Sequence, residues 1–186
     1  MYEVEIKAYL DNKEEIIQKL ILLGCIWDKK IKQYDIIYRL NDTLDSNEIY
    51  MRIRHENSTR PILTFKKILN SFEVIEYETV IDNSDELKKM LQLIGFKEYA
   101  IINKSRQVGI IGEITICLDD VEGLGAFIEV EKKVENSHER ECTLSDLKNF
   151  IFSLGINSKQ LCNKRYHTMI NEQKGGLSLC KLSEND

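Results

Sequence analysis

Most of this chain alternates between apolar and polar residues, which is the pattern of β-strands with two unlike faces. The alternation runs through eight segments, which are residues 2–9, 33–40, 48–55, 61–67, 72–81, 99–108, 111–120 and 125–134. Because successive side chains of a strand point to opposite faces, each segment presents one apolar and one polar face. Most connections between the segments are short, and this favours antiparallel pairing. The pattern therefore predicts a largely antiparallel sheet of eight strands.

Four other segments repeat their apolar residues at the spacing of an amphipathic helix. They cover residues 12–23, 85–94, 144–154 and 158–170. We expect the first three to begin after Asp11, Ser84 and Thr143 and to end at the glycines that follow them. Two successive β-α-β-β-β units are faintly visible, and two such units can close into a barrel. Residues 172–186 lack clear periodicity, so we predict one domain over residues 1–171 and a C-terminal tail over 172–186.

The polar faces of the strands are ionic, and the side on which they lie decides what the protein can bind. In the first strand Glu3, Glu5 and Lys7 share one face, opposite Val4 and Ile6. An ordinary antiparallel sheet turns such a face toward water, and alternation alone favours that interpretation. The helices favour the opposite one, because they need the apolar face of the sheet to cover. If they lie outside a closed barrel, the ionic faces line its interior.

The charges are also sorted by sign along the strands. Acidic pairs occur at Glu3/Glu5, Glu76/Glu78 and Glu129/Glu131, and basic pairs occur at Arg52/Arg54 and Lys104/Arg106. A surface selected only for solubility mixes the two signs. Clustered carboxylates suit Mg²⁺ or Mn²⁺, whereas clustered arginine and lysine side chains suit phosphate oxygens. Since burying ions costs several kcal/mol each, the pattern indicates a hydrated channel that binds a metal ion and a polyphosphate.

Composition and charge narrow the class of protein. The 186 residues are 42% hydrophobic and 31% charged, as in a single globular domain. A net charge of −5 argues against a general nucleic-acid binder. No apolar run approaches the ~20 residues that span a bilayer, and the first residues do not resemble a signal peptide, so we expect a cytoplasmic protein without membrane contact. The five cysteines are scattered and are expected to be reduced thiols.

Several segments resemble the signature motifs of the CYTH superfamily, whose members are also called triphosphate tunnel metalloenzymes. The opening EVEIK at residues 3–7 resembles the family's ExExK signature. Similar motifs follow in the family's order, which are MRIR at 51–54, LTFKK at 63–67, EYE at 76–78, INKSRQ at 102–107 and LDDVEGLGAFIEVE at 118–131. The last of them resembles the family's LDxVxxLGxFxExE and is the most specific. The resemblance covers about residues 2–133, and its spacing is most similar to the class IV adenylyl cyclase branch.

This resemblance implies an α+β fold in which a closed eight-stranded antiparallel β-barrel, the triphosphate tunnel, has helices packed outside. It implies an enzyme that needs Mg²⁺ or Mn²⁺ and acts on a small-molecule triphosphate, either ATP or tripolyphosphate. The expected reaction is the conversion of ATP to cyclic AMP and pyrophosphate. A triphosphatase acting on inorganic triphosphate, nucleoside triphosphate or thiamine triphosphate stays an alternative, as does a non-catalytic polyphosphate- or nucleotide-binding module. A homodimer is also left open.

The resemblance further implies roles for individual residues. The metal ligands would be Glu3, Glu5, Glu129 and Glu131, with Glu76 and Glu78 as auxiliary acids. The triphosphate would be bound by Lys7, Arg52, Arg54, Lys66, Lys104 and Arg106. Catalytic roles would fall to Lys7, Arg106 and Asp119, and Asp119 would orient a basic side chain or the nucleophile.

Two positions depart from the family's pattern. Ile37 stands where the family has an aromatic residue, and Tyr38 follows one step late. Arg165 stands where the C-terminal motif has serine, just before Tyr166, which matches the tyrosine of that motif. We expect both departures to alter what packs beside the part of the substrate that is not phosphate.

Overall fold

The computed structural model describes residues 2–40, 49–57, 59–70 and 72–182. Its strands are β1 (Tyr2–Tyr9), β2 (Ile26–Trp27), β3 (Ile31–Leu40), β4 (Ile49–Glu56), β5 (Ile62–Ile68), β6 (Glu73–Val80), β7 (Phe96–Ile111), β8 (Ile114–Val121) and β9 (Gly125–Val134). Its α-helices are α1 (Lys13–Leu22), α2 (Ser84–Leu93), α3 (Arg140–Ser153) and α4 (Tyr166–Leu182). Two single-turn 3₁₀ helices, Ser137–Glu139 and Ser158–Gln160, precede α3 and α4.

Eight of the strands form a closed antiparallel barrel. Their order is β7-β3-β4-β5-β6-β1-β9-β8, and β8 pairs back with β7 to close the ring. The predicted barrel with helices outside is therefore confirmed. The short β2 was not predicted, because two residues are too few to show an alternating pattern. It pairs with Gly109 and Ile110 near the end of β7, whose 16 residues make it the longest of the described strands.

Three helix starts differ from the sequence prediction. Asn12 and Asn83 cap α1 and α2, and their side chains accept hydrogen bonds from the backbone N–H groups of Glu15 and Glu86. Each cap lies one residue from the predicted position, since a strong capping asparagine stands beside the residue chosen from the sequence in both cases. The helix α3 begins about one turn earlier than predicted. None of these shifts moves a helix to another part of the barrel.

The helix predicted over residues 158–170 is wrong up to residue 165 and confirmed from Tyr166 onward. After the second 3₁₀ helix the chain is extended at Leu161, which forms a bridge with Ala8 of β1. The next N–H, that of Cys162, donates to the Lys7 carbonyl at 2.8 Å. Pairing with β1 thus captures the backbone groups that a continuous helix would need. The helix α4 then starts at Tyr166 and crosses the predicted boundary at residue 171.

The aliphatic face of the barrel lies outside, under the helices. Val4 and Ile6 of β1 are buried in one cluster with Leu147 and Ile151 of α3, and the same cluster contains Leu20 of α1. On the other side of the barrel, α2 covers a second apolar cluster on β3 and β4. No helix in the described ranges combines the length and apolar character needed to cross a membrane.

The cysteines with described side chains form no disulfide, in agreement with the prediction of reduced thiols. Cys25, Cys117, Cys142 and Cys162 are free. Cys117 and Cys162 are buried, whereas Cys142 is exposed. Burial raises the pKa of the Cys117 thiol to about 12, so this group stays protonated and unreactive at neutral pH.

We predict that Leu147→Ala lowers the free energy of unfolding by about 2–5 kcal/mol, because it leaves a cavity between α3 and the barrel. Leu147 is 1% exposed. Phe152→Ala on the same helix is the control, since Phe152 is 40% exposed and its loss leaves no enclosed cavity. Urea denaturation measures both changes. Equal destabilisation by the two substitutions would contradict the packing of α3 described above.

Candidate functional site

The ionic faces of the strands point into the barrel. They line a cavity of about 230 Å³ that includes every site residue predicted from the sequence except Asp119. Asp119 lies directly behind the cavity wall, with no exposed surface, and binds two of the lining bases. The alternative in which these faces meet bulk water is therefore wrong. The helices bury the aliphatic side, and closure of the sheet encloses the other side.

Three carboxylates form an acidic cluster at one part of this cavity. Glu3 and Glu5 project from the same face of β1, and Glu131 is the cross-strand partner of Glu5 on β9. One oxygen from each of the three lies within 4.8 Å of the others. We call Glu3, Glu5 and Glu131 the acid trio.

The acid trio lacks the positive charge that its carboxylates require. Burial, Glu3 and Glu5 together raise the pKa of Glu131 to about 8, and burial also raises the pKa of Glu3. Glu3 and Glu5 each approach one lysine, at 4.0 Å and 3.5 Å. Among the described residues, no base forms an ion pair with Glu131. A hard divalent cation with oxygen ligands, such as Mg²⁺ or Mn²⁺, fits this donor set and would supply the missing charge.

Glu129, the fourth predicted metal ligand, lies with the bases instead. It forms an ion pair with Arg106 and another with Lys7, whose Nζ is 3.2 Å from a Glu129 oxygen. Burial opposes ionisation of Glu129, but the fields of Arg106 and Lys7 hold its pKa well below the usual range. A metal-binding role for Glu129 stays a prediction, and its contacts in this structure are those of a counter-ion.

Asp119 organises the basic wall next to Glu129. Arg106 donates two hydrogen bonds to its two oxygens, at 2.7 and 2.5 Å, and Lys104 donates a third at 3.1 Å. The Tyr166 hydroxyl donates a fourth at 3.0 Å. The same tyrosine ring lies under the ammonium groups of Lys7 and Lys104, 4.4 and 5.1 Å from its centroid. Tyr166 therefore links the start of α4 to charged groups of three strands, which are Lys7 of β1, Lys104 of β7 and Asp119 of β8.

The opposite wall pairs its bases with the predicted auxiliary acids. Arg52 Nη2 donates to Glu78 at 2.9 Å, to Thr64 at 2.9 Å and to Glu76 at 3.4 Å. Lys66 forms an ion pair with Glu76. Burial opposes ionisation of Glu76, but Lys66 and Arg52 lower its pKa to about 2. Glu76 and Glu78 thus orient these bases and do not join the acid trio.

Asp35 belongs to the site and was missed by the sequence argument. Its two oxygens accept hydrogen bonds from Nε and Nη2 of Arg54, at 2.7 and 2.8 Å, and the aspartate is 2% exposed. Burial opposes its ionisation, but Arg54 holds its pKa below the usual range. The sequence argument relied on acids spaced two apart, and Asp35 has no such neighbour on its face. Its place opposite Arg54 is set by the β3–β4 register, which only the structure shows.

An apolar cluster and the start of α4 fill the rest of the interior. Tyr166 packs on Phe127 at 5.0 Å between ring centroids, and Cys162 and Met169 belong to the same cluster. Six strands around the barrel contribute to these contacts, so the segment that leads into α4 lies across one end. The ionic channel predicted from the sequence therefore occupies only part of the interior.

Residues 37 and 38 depart from the family's pattern, and as a result the cavity has one aromatic ring fewer than that pattern predicts. Ile37 faces inward and lines the cavity, whereas Tyr38 faces outward and is buried beneath α2. The register of the β3–β7 pair shifts between these two residues. Tyr50 and Tyr166 supply aromatic surface to the cavity from other strands and from α4.

His167 is a buried residue in the lining of the cavity, and it is 2% exposed. Its ring lies edge-on to Tyr50 and Tyr99, at 4.9 and 5.7 Å between centroids. Its Nε2 is buried and has no hydrogen-bond partner among the described residues. Burial, together with the nearby Arg165, lowers the pKa of His167 to about 3. The imidazole is therefore neutral at physiological pH.

Comparison with known proteins places these observations in a family. The sequence model of the CYTH domain matches residues 1–166. A Methanocaldococcus jannaschii protein named "Putative adenylate cyclase" is 31% identical over 89% of this chain and 97% of its own length. A solved structure from Pyrococcus horikoshii is 28% identical, covers 92% of this chain and 99% of its own, and superposes with a TM-score of 0.79.

A plant protein of the same fold is more distant in sequence. It comes from Hippeastrum, is 18% identical, covers 83% of this chain and 88% of its own, and has a TM-score of 0.56. It is described as a "putative adenylyl cyclase" with a dominant triphosphatase activity. This likeness concerns the fold alone.

We predict that His167→Phe reduces the loss of stability in mild acid. A folded-state pKa of about 3 lies below the unfolded value of about 6.5. The unfolded chain therefore binds the proton first, and stability is lost as pH falls below 6.5. Between pH 7.5 and pH 5 the native protein should lose about 2 kcal/mol more than the variant.

Chemical denaturation at the two pH values measures this difference. His138→Phe is the control, because it removes an exposed imidazole. Parallel pH profiles for the native protein and His167→Phe would show that His167 is not held neutral.

Proposed function

Because this chain belongs to the CYTH domain family, we propose that it is a metal-dependent enzyme that acts on a triphosphate. One observation carries the proposal, which is that the acid trio and a set of lysine and arginine side chains face each other across a single enclosed cavity. Carboxylates bind a hard cation, and the bases bind phosphate oxygens. A site for either ligand alone would need only one of the two groups.

The acid trio would hold Mg²⁺ or Mn²⁺, in line with the divalent metal that the family implies. Such an ion polarises a phosphoryl oxygen and offsets the charge of the transition state. The predicted set Lys7, Arg52, Arg54, Lys66, Lys104 and Arg106 would bind the phosphate chain. Their ion pairs hold these side chains in place before the substrate arrives, so little reorganisation is needed during the reaction.

Lys7 would act as a hydrogen-bond donor to phosphate or to the nucleophile. Burial disfavours its charged form, but Glu129 and Glu5 raise its pKa above the ordinary value. A lysine that stays protonated at neutral pH cannot take a proton from the nucleophile. Asp119, which binds Arg106 and Lys104, would act by orienting those two bases.

The first candidate reaction is the cyclisation of ATP. In this reaction the 3′-hydroxyl attacks the α-phosphorus, and pyrophosphate leaves. The order and spacing of the motifs favour it, and so does the name of the Methanocaldococcus relative, which this chain matches over most of both lengths.

The second candidate is hydrolysis of the terminal phosphate by water. The size of the ionic cavity, about 230 Å³, favours it, because the apolar cluster and the start of α4 fill the adjacent interior. A phosphate chain fits such a space more easily than a nucleotide. The Hippeastrum protein, described as mainly a triphosphatase, has the same fold. The third candidate is a non-catalytic module that binds polyphosphate. Such a module would leave the acid trio without a role.

The products distinguish the three readings. Purified protein is incubated with Mg²⁺ or Mn²⁺ and either ATP or tripolyphosphate, and the products are separated by chromatography. We expect cyclic AMP and pyrophosphate from ATP; release of orthophosphate would instead identify a triphosphatase. Binding without turnover of either compound would contradict an enzymatic role.

We predict that Glu131→Gln lowers metal-dependent turnover by about 100-fold or more, because metal coordination supplies several kcal/mol of charge stabilisation. It should also abolish the rise in melting temperature that Mn²⁺ causes in the native protein. Glu113→Gln is the matched control, since Glu113 is exposed and pairs with Lys132 outside the cavity. Full activity of Glu131→Gln would refute the assignment of the metal site.

A cytoplasmic location, the absence of nucleic-acid and membrane partners, and the choice between monomer and homodimer stay predictions. The same holds for the division between a domain at residues 1–171 and a tail.

A further inference from the structure

Each of the six predicted phosphate-binding bases already contacts a carboxylate. The partners are Glu129 for Lys7, Glu78 for Arg52, Asp35 for Arg54, Glu76 for Lys66 and Asp119 for both Lys104 and Arg106. A phosphate that approaches one of these bases must share it with an acid, and the acid repels the phosphate. The basic walls are thus well ordered but largely neutralised.

Arg165 differs from these six bases. It lines the same cavity, and its Nη2 donates to the backbone carbonyl of Asn70 at 3.3 Å. Among the described residues, no carboxylate lies within ion-pairing distance of its guanidinium. A long hydrogen bond to one neutral oxygen leaves most of the five N–H donors of an arginine without a protein partner.

Lys133 also lines the cavity and forms no ion pair with any described residue, but its charge acts on the acid trio. It is the cross-strand partner of Glu3 on β9, where burial raises the pKa of the glutamate and the field of Lys133 opposes that rise. Arg165 lies instead at the start of α4, in contact with the Asn70 carbonyl. Its charge acts on the neighbouring, neutral His167.

The position of Arg165 is unfavourable for the helix that follows it. Its carbonyl accepts the first hydrogen bond of α4, from the N–H of Met169, so it occupies the N-cap position. Short polar residues such as serine cap a helix at this position, and a positive charge there opposes the helix dipole. Local structure therefore gives no reason for an arginine at residue 165.

We propose that Arg165 is a substrate-binding residue whose guanidinium binds phosphate oxygens of the triphosphate. This inference rests on the proposed function and adds a residue that the CYTH motifs do not include. Binding would cost only the exchange of the Asn70 carbonyl for a phosphate oxygen, and a charge-assisted bond is the stronger of the two. Arg165 would supply a positive charge that no protein carboxylate neutralises, so it would set how tightly this chain binds a polyanion.

Calorimetric titration with tripolyphosphate in the presence of Mg²⁺ tests the proposal. Arg165→Ser should raise the Kd about tenfold or more, because a charge-assisted contact to phosphate is lost. Arg165→Lys should restore part of the affinity, since it keeps the charge but not the fork of donors. Arg60→Ser is the matched control and should bind as the native protein does, because Arg60 is exposed and pairs with Asp82 on the surface.

Two further measurements separate substrate binding from a structural role. The melting temperature of ligand-free Arg165→Ser should equal or exceed that of the native protein, because serine is the better cap. The Mn²⁺ affinity measured without phosphate should be unchanged, because the acid trio is intact. In a turnover assay, KM should rise while kcat stays within about threefold, as expected for lost ground-state binding.

The outcomes for Arg165 and for the proposed function are distinguishable. Tight binding of tripolyphosphate by the native protein and by Arg165→Ser alike would overturn the role of Arg165 and leave the proposed function standing. A fall in melting temperature together with weaker Mn²⁺ binding would also overturn it, in favour of a structural role. Absence of binding by the native protein would refute both. Arg165-dependent binding without turnover would support the Arg165 contact and refute the enzyme.

Discussion

Charge compensation inside a closed barrel is the constraint on which this structure depends. Closure of the sheet removes the ionic faces from bulk water, where an isolated ion would be solvated at no cost. Most bases in this space therefore stand beside an acid, and the pairs Arg54–Asp35 and Arg106–Asp119 are joined by two hydrogen bonds each. Buried ion pairs of this kind add little net stability. Their value to the protein lies in orientation, because they fix the positions of donors that would otherwise be flexible.

Two charged groups in the cavity, Glu131 and Arg165, lack a neighbouring group of opposite charge within the described part of the chain. Glu131 has no base beside it in the described structure, and burial together with the neighbouring carboxylates raises its pKa to about 8. Arg165 has no acid beside it among the residues that the structure describes, and it stands at a helix start that disfavours a cation. An acid without a base suits a metal ion, and a base without an acid suits a phosphate. A metal–triphosphate complex would supply both missing partners at once.

The C-terminal helix completes the cavity that the barrel begins. Tyr166 accounts for much of this, since its hydroxyl binds Asp119 and its ring supports two lysines. The segment before the helix pairs with β1 through the N–H of Cys162. This contact fixes the position of the helix start relative to the barrel. The size of the ionic space therefore depends on residues far from the strand motifs.

Local patterns in the sequence determined the strands, the face on which each charged residue lies and most of the residues in the cavity. They could do so because the two-residue period of a strand is a local property, as the pair Glu3 and Glu5 illustrates. Only the tertiary structure decided which strands became neighbours, and hence that Glu129 meets Arg106 whereas Glu131 meets Glu5. The partner of Asp35 and the interruption of the predicted helix at Leu161 were decided in the same way. These outcomes follow from closure of the barrel, which joins residues distant in the chain and so leaves no periodic trace in the sequence.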